Sequence, residues 1–423
     1  MIYEGLEAIR NKKESSGLNI LVIRMRLLCP LDAGGKLRTA NILKQLKKRN
    51  HITLVALRYQ GDDDKAVIDT QSYCDRLITI SFQETSKGTI SFYNEIFRNL
   101  MDDKPYVIAK YSSSELRLSV QSIIDNEKPD LVICDFPHSY EALPNQTIIP
   151  FLLFQHNVEA DILSQLAENA NNYIVKSYFR IQSKRMARYE GEICRKASHI
   201  IAVSEHDKII YSKRYHADHC DIIATGVDID YFYPSKNSGD SNKLVFTGSM
   251  DWLANQDAIR FFHSDIFPKI RQNIPGIELT VVGRNPPKDI LQLRNQNGIH
   301  ITGRVPDVRP YIADAGIFIV PLRIGSGTRM KILEAMSMGK AIISTSLGAE
   351  GIPVAHGQDI ILSDTPDDFA KQIIRLSKDK ALRQMLGKNA REKAVKDHSW
   401  EQIGGVFEEI CIRTARKIKE ANK

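Results

Sequence analysis

Short apolar, β-branched runs recur along the chain with helical stretches between them. The first set is LNILVIRM (18–25), ITLVAL (52–57), LITI (77–80), DLVICDF (130–136), IIPFLLF (148–154) and HIIAVS (199–204). Runs that are apolar on both faces suit interior strands of a parallel sheet covered by helices. The rhythm then restarts with KLVFTG (243–248), IELTVVG (277–283), IHITG (299–303), IFIVPL (317–322), KAIIST (340–345) and DIILSD (359–364). Strand and helix alternating twice over predict an α/β protein built from two doubly wound, Rossmann-like domains. The expected join is DYFYPSKNSGDSNK (230–243), where Pro234, Gly239 and small polar residues interrupt any periodicity. Two helical stretches, roughly 379–397 and 400–420, close the chain.

With 423 residues, 43% apolar and 26% charged, the chain is long enough for two domains with full cores. No apolar run approaches the roughly 18 to 20 residues needed to cross a bilayer, and MIYEGLEAIRNKKESSG lacks the apolar centre of a signal peptide. A cytoplasmic location follows as the expectation. The cysteines Cys29, Cys74, Cys134, Cys194, Cys220 and Cys411 lack metal-site spacing and read as reduced core residues. A net charge of +7 favours anionic partners without choosing among phosphorylated substrates, nucleic acid or an acidic membrane face.

Ligands of open α/β sheets bind beyond the carboxyl ends of the strands, so the residues after each apolar run come first. After the first run, Gly34 and Gly35 open a helix expected to begin near Leu37. Paired glycines let backbone amides approach an anion there, or simply make a tight turn. His156 follows the fifth run within FLLFQHNVEAD, placed to hydrogen-bond a sugar hydroxyl or phosphate, or to cap or pack against a helix. In the block 321–352, the turn Gly325, Ser326, Gly327, Thr328 leads into the helix RMKILEAMSM. Free amides at such a start can dock a diphosphate. Arg329 and Lys331 place cations in its first turn, against the usual preference, which makes sense if an anion binds. Glu334 could accept hydrogen bonds from ribose, or face solvent. Arg304, Arg309, Arg323 and Arg329 are ligand-directed or merely solvated and ion-paired. The P-loop, Gly-x-Gly-x-x-Gly and Gly-x-Ser-x-Gly patterns are absent from their expected places, which counts against an NTPase, a dinucleotide enzyme and a serine hydrolase. On 176–196, Arg180, Lys184 and Arg188 share one helical face, a wet surface or a stripe for anionic lipid.

At these residues the chain is similar to the GT-B glycosyltransferases, specifically the large retaining family four that includes bacterial polysaccharide and lipopolysaccharide transferases. The resemblance runs through the Gly-Gly loop with Arg38, QHNVE, SEHD (204–207), TGVDIDYFYP (225–234), FTGSMDWLANQDA (246–258), ITGRVPDVRPYIADA (301–315) and the 321–352 block. It implies two domains facing a cleft: 1–235, an acceptor domain rejoined by the terminal helix 400–423, and 236–399, a donor domain.

The same resemblance implies transfer of a sugar, with retention and without metal or other cofactor, from a nucleotide-sugar donor to a glycan or lipid-linked acceptor. Peripheral contact with an anionic inner membrane face is a further implied partner, and nucleic acid is not. Gly34, Gly35, Arg38, Gly248, Ser249, Arg304, Val305, Gly325, Ser326, Gly327, Thr328 and Glu334 would hold the donor. His156 would lie beside the donor sugar. The chain departs from the family where Ser326 replaces the first motif Glu, and where Ser249 and Asn255 lie near the position of the usual diphosphate-neutralising Arg and Lys. Arg329 and Lys331 are the expected substitutes. A decayed sugar-nucleotide-binding protein of the same fold and a UDP-N-acetylhexosamine epimerase are the competing readings.

Overall fold

The computed structural model describes residues 17–421 except 87, 145–148, 169, 171, 236–238, 295–297 and 325–328. The chain divides into two compact units, one of Met1–Ala224 with Gly404–Lys423, the other of Thr225–Ile403.

The first unit holds seven parallel strands: β1 Asn19–Arg24, β2 His51–Tyr59, β3 Arg76–Phe82, β4 Leu131–Asp135, β5 Phe151–Phe154, β6 His199–Ala202 and β7 Cys220–Ile222. Their order is β3-β2-β1-β4-β5-β6-β7. Central β1 aligns Ile20 with Ile52 of β2 and with Leu131 of β4. Every residue of β4, β5 and β6 is buried, which is why their sequences read as unbroken apolar runs. Strand order reverses between β1 and β4, so the crevice at their carboxyl ends is where this sheet can take a ligand. Edge strand β7 was not predicted, because Cys-Asp-Ile has no apolar run to detect.

The second unit holds β8 Asp240–Thr247, β9 Glu278–Val282, β10 Ile299–Gly303, β11 Ala315–Val320, β12 Ala341–Ser344 and β13 Ile361–Leu362. They are parallel in the order β10-β9-β8-β11-β12-β13, with the reversal between β8 and β11. Here β8 starts inside the stretch expected to be linker. Gly239, at φ 76°, lets the chain pass where a Cβ would lie 2.2 Å from the Ala315 carbonyl, and Asp240 pairs with Ala315.

Two further differences bear on the site. The helix Gly34–Leu46 begins at Gly34, so the paired glycines form its first turn instead of a loop before it; the N-cap Ala33 offers no side-chain cap and no acid sits in that turn. The helix after the 325–328 turn is Met330–Ser337, with Arg329 at its N-cap position. The closing helices are Lys380–His398 and Trp400–Ala421. Trp400 packs where a Cβ on Gly226 would meet its ring at 2.6 Å, whereas Phe407 meets Phe154 edge-on at 5.0 Å. All six cysteines are buried and free.

At the ends of β8 and β9 the backbones touch: a Cβ on Gly283 would stand 1.9 Å from the Gly248 carbonyl oxygen. Gly283→Ala must push the two strand ends apart and is expected to cost about 1–3 kcal/mol. Calorimetry should show a lowered melting temperature for it, and an unchanged or raised one for Gly405→Ala, a helix position with nothing within 4 Å of the added methyl.

Candidate functional site

In the first unit the carboxyl ends of β1, β4 and β5 converge on one buried carboxylate. Asp135, the last residue of β4, forms an ion pair with Arg24 Nη1 at 2.6 Å. Its Oδ1 lies 2.7 Å from His156 Nε2, and its Oδ2 accepts a hydrogen bond from Thr39 Oγ1 at 3.0 Å. Burial raises the Asp135 pKa, but Arg24, His156 and Thr39 outweigh it and the net displacement is downward, so the group is a carboxylate. For His156 burial dominates and lowers the pKa despite Asp135. The ring is therefore neutral near pH 7, with its proton on Nε2 facing Asp135 and a free acceptor at Nδ1. That Nδ1 faces the first turn of the helix Gly34–Leu46, 3.6 Å from where a Gly35 Cβ would be.

Phe136 stacks on the His156 ring at 4.2 Å between centroids and 23° between planes. It holds φ 68° and ψ 157°, a region nearly reserved for glycine. A side chain at 35 would stand 3.1 Å from this ring, so glycine there leaves room for the stack.

Arg38 was expected to face the donor. The structure places it elsewhere: it is 3% exposed and its guanidinium donates to the carbonyls of Gln155 at 3.0 Å, Ala202 at 3.5 Å and Ile223. Burial lowers its pKa to about 10, with Asp135 opposing, so it remains a cation that ties together the ends of β5, β6 and β7. It is framework here and presents no charge to a ligand.

The second unit gathers another corner at the end of β8. Lys331 Nζ donates to Asn255 Oδ1 at 2.8 Å, and Asn255 Nδ2 donates to the Ser249 carbonyl at 2.7 Å. The ammonium lies 4.0 Å from the Phe246 ring centroid. A Cβ at Gly248 would come within 2.6 Å of Nζ and 2.8 Å of Asn255 Nδ2, so a side chain there would displace both. Burial lowers Lys331 to about 7 against the pull of Glu334, and burial raises Glu334 to about 7 against the pull of Lys331. The two groups lie toward one another in pKa and titrate as a pair.

Ser249 Oγ donates to Asp251 at 2.8 Å and accepts from Arg284 Nε at 3.1 Å. The same Arg284 Nε lies 2.9 Å from Asp251, so the cation that the end of β9 brings to this turn is already held by a carboxylate. Arg329 is buried 5.7 Å from the Trp252 ring, and burial lowers its pKa against Glu350. Arg304 is exposed after Gly303, itself at φ 75°, while Val305 packs on the core. Arg309 and Arg323 are held by Asp307 and Asp257. Gly325, Ser326, Gly327 and Thr328 lie outside the described residues.

The structure thus brings Gly35 to His156 and Gly248 to Lys331, each within its own unit. Sequence reasoning missed Arg24, Thr39, Asp135, Phe136 and Arg284. The available signal was two opposite charges, Arg24 and Asp135, each closing a wholly buried strand run. Among the described residues no three His, Cys, Asp or Glu side chains group as metal ligands, and no helix is long and apolar enough to cross a membrane.

Residues 34–231 match the family described as Glycosyltransferase Family 4, and residues 241–379 match Glycosyl transferases group 1. An uncharacterised 44.6 kDa protein of the cps region of Klebsiella pneumoniae is 25% identical over 377 residues, 85% of this chain and 91% of that protein. The Escherichia coli UDP-Gal:alpha-D-GlcNAc-diphosphoundecaprenol alpha-1,3-galactosyltransferase is 25% identical over 216 residues, 46% of this chain and 55% of that one. Among solved structures, Anabaena HepE in complex with UDP superposes with a TM-score of 0.62 at 15% identity, covering 93% of this chain and 99% of that one.

Asp135→Asn strands the buried Arg24 charge and is expected to cost about 3–5 kcal/mol at pH 7, measured by denaturant unfolding. Because the folded pKa of Asp135 is depressed, its contribution is complete above about pH 4, the unfolded value, and is lost as pH falls through the folded one. The variant's stability should therefore fall less steeply in acid than the wild type's. Adding Arg24→Met should recover part of the loss.

Proposed function

As the chain has the GT-B fold and its residues 34–231 and 241–379 match the Glycosyltransferase Family 4 and Glycosyl transferases group 1 models, we propose that it moves a hexose from a nucleoside-diphosphate sugar to a glycan or lipid-linked acceptor in cell-surface polysaccharide synthesis, retaining configuration and using no metal. The observation that carries this reading is the Lys331 corner. An ammonium fixed by Asn255 at a sheet's topological switch point, against a strand end kept bare by Gly248, suits the diphosphate that must leave.

In this reading Glu334 accepts from the ribose hydroxyls, the exposed Arg304 and the backbone of Val305 flank the base, and Arg329 supports Lys331. The first unit contributes the uncapped turn at Gly34 and Gly35, whose amides suit a phosphate. His156 contributes Nδ1, which accepts from a donor sugar hydroxyl while Asp135 holds the opposite nitrogen. A neutral imidazole with a lowered pKa is a better acceptor than proton carrier. The retaining route in which the donor phosphate takes the acceptor's proton needs no stronger base. The Klebsiella relative from a cps region and the Escherichia coli relative acting on a diphosphoundecaprenol acceptor support a glycan or lipid-linked acceptor.

Turnover of a panel of UDP-, GDP- and ADP-sugars tests the activity, and Lys331→Ala should lower it by about a hundredfold or more. An unchanged rate removes the assigned role. Binding of UDP-glucose, followed by calorimetry, should be strongest near pH 7. Below it Glu334 protonates and loses its grip on ribose; above it Lys331 loses the charge that meets the diphosphate. Glu334→Gln should abolish the acid limb and Lys331→Met the basic one. His156→Ala should raise the KM for the donor about tenfold in the turnover assay, the loss of one hydrogen bond to the sugar.

A further inference from the structure

His156 stands in a segment, 155–160, whose backbone is held from both sides. On the side of β5, Gln155 N donates to the Ile201 carbonyl at 2.9 Å, and the Gln155 carbonyl accepts from Arg38. On the other side begins the helix Glu159–Glu168, and there the hold comes from a residue of the long helix Tyr173–Lys196. Glu190 Oε1 accepts from the Glu159 amide at 2.9 Å. Its Oε2 accepts from the Ala160 amide at 3.0 Å and from Tyr215 Oη at 3.0 Å. The amide of Asp161 donates to the Val158 carbonyl at 3.1 Å, so the first three amides of the helix all have acceptors. Tyr211 Oη adds a bond to the Asn157 carbonyl at 3.2 Å.

This is a costly way to cap a helix. Glu190 is 0% exposed and forms no ion pair among the described residues. A serine or aspartate at 158 would meet the same amides locally, yet that position is a buried valine. The neighbouring glycine belongs to the same arrangement. A Cβ on Gly191 would stand 3.2 Å from Tyr215 Cδ1, so a residue that weakens a helix interior makes room for the ring whose hydroxyl reaches Glu190. Burial pushes Glu190 up to about 8 against its three donors. Each carboxyl oxygen keeps a lone pair for an amide whether or not one of them carries a proton, so the hold does not depend on ionisation.

We propose that Glu190 is a positioning residue for His156. The bond to Asp135 and the stack on Phe136 leave the imidazole free to turn in its own plane about Nε2. That freedom is removed only by fixing the backbone on both sides of the ring, and Glu190 fixes the far side. It thereby keeps Nε2 on Asp135 and Nδ1 towards Gly35. Its consequence for the donor rests on the reading in which His156 Nδ1 accepts from the sugar.

Nitrogen NMR of the full chain, isotopically labelled at the histidine rings and read without ligand, tests this. The His156 pair is identified by its loss in His156→Ala, and in the wild type one of its nitrogens is protonated and the other bare. Glu190→Gln sets a nitrogen with no lone pair to offer against one of the two backbone amides. The two His156 signals should then move toward each other as the tautomers mix. Tyr215→Phe, which loosens Glu190 without touching the amides, should move them the same way by less, and it answers the question if Glu190→Gln does not fold. By calorimetry Glu190→Gln should weaken UDP-glucose about tenfold, leave UDP unchanged, and add nothing in a His156→Ala background. Unmoved His156 signals overturn the proposal. So does an equal loss for UDP and UDP-glucose, or a loss fully additive with that of His156→Ala, since either marks a general loosening of the unit. If the signals move but His156→Ala leaves UDP-glucose binding unchanged, Glu190 still sets the ring and it is the sugar contact that falls.

Discussion

The face of the first unit that can meet a ligand depends on the Asp135 carboxylate. A buried charge of this kind is costly unless several partners satisfy it, and here they come from β1 through Arg24, from the helix Gly34–Leu46 through Thr39 and from the segment after β5 through His156. Meeting the demand of one group therefore fixes three other pieces of chain at the same point. Arg38 does the reverse with opposite sign, a buried cation satisfied by carbonyl oxygens at the ends of β5, β6 and β7. Between these two charges the strand ends have little freedom, and the strained backbone of Phe136 is held because its ring is trapped against His156 and Gly35.

The second unit reaches a comparable precision by a different route. At the ends of β8, β9 and β10 stand Gly248, Gly283 and Gly303, and the first two pack backbone to backbone. Absence of side chains makes a bare floor at the strand ends, and the groups above it are brought in from elsewhere: Lys331 from a helix, Arg284 from the next strand end. Asp135 and His156 are kept in fixed protonation states by their surroundings. Burial lowers Lys331 and raises Glu334, so each is less firmly charged than in water.

The fold was legible because strands buried on both faces are largely apolar, and twelve of the thirteen strands among the described residues coincide with the apolar runs of the sequence. The exception has a physical reason: β7 has three residues at an edge, too short for a pattern. β8 coincides with its run but begins earlier, in small polar residues that Gly239 allows against Ala315. Position after a strand pointed to Gly35 and His156, the first turn of a helix to Lys331 and the family resemblance to Gly248, and the structure brings Gly35 to His156 and Gly248 to Lys331. Position was not enough for Arg38, because an arginine beside a glycine pair looks the same whether it points to a ligand or to carbonyls. Nor did it find Asp135 or Arg24, since a charge that ends an apolar run reads as the boundary of the strand, when burial makes it the centre of the site.

Helix Ile90–Leu100 shows the limit of periodicity in its clearest form. The spacing of Ile90, Tyr93, Phe97 and Met101 says which residues share a face, but nothing about which way that face turns. Direction is decided by the opposite side, where half-buried Phe92 and Ile96 turn inward and Glu95 and Asn99 have partners in Thr85, Tyr106 and Gln182. A similar limit applies to the overall charge of +7, which is uninformative as a sum. Its meaning lies in which cations are already held by carboxylates, as Arg284, Arg309 and Arg323 are, and which are not.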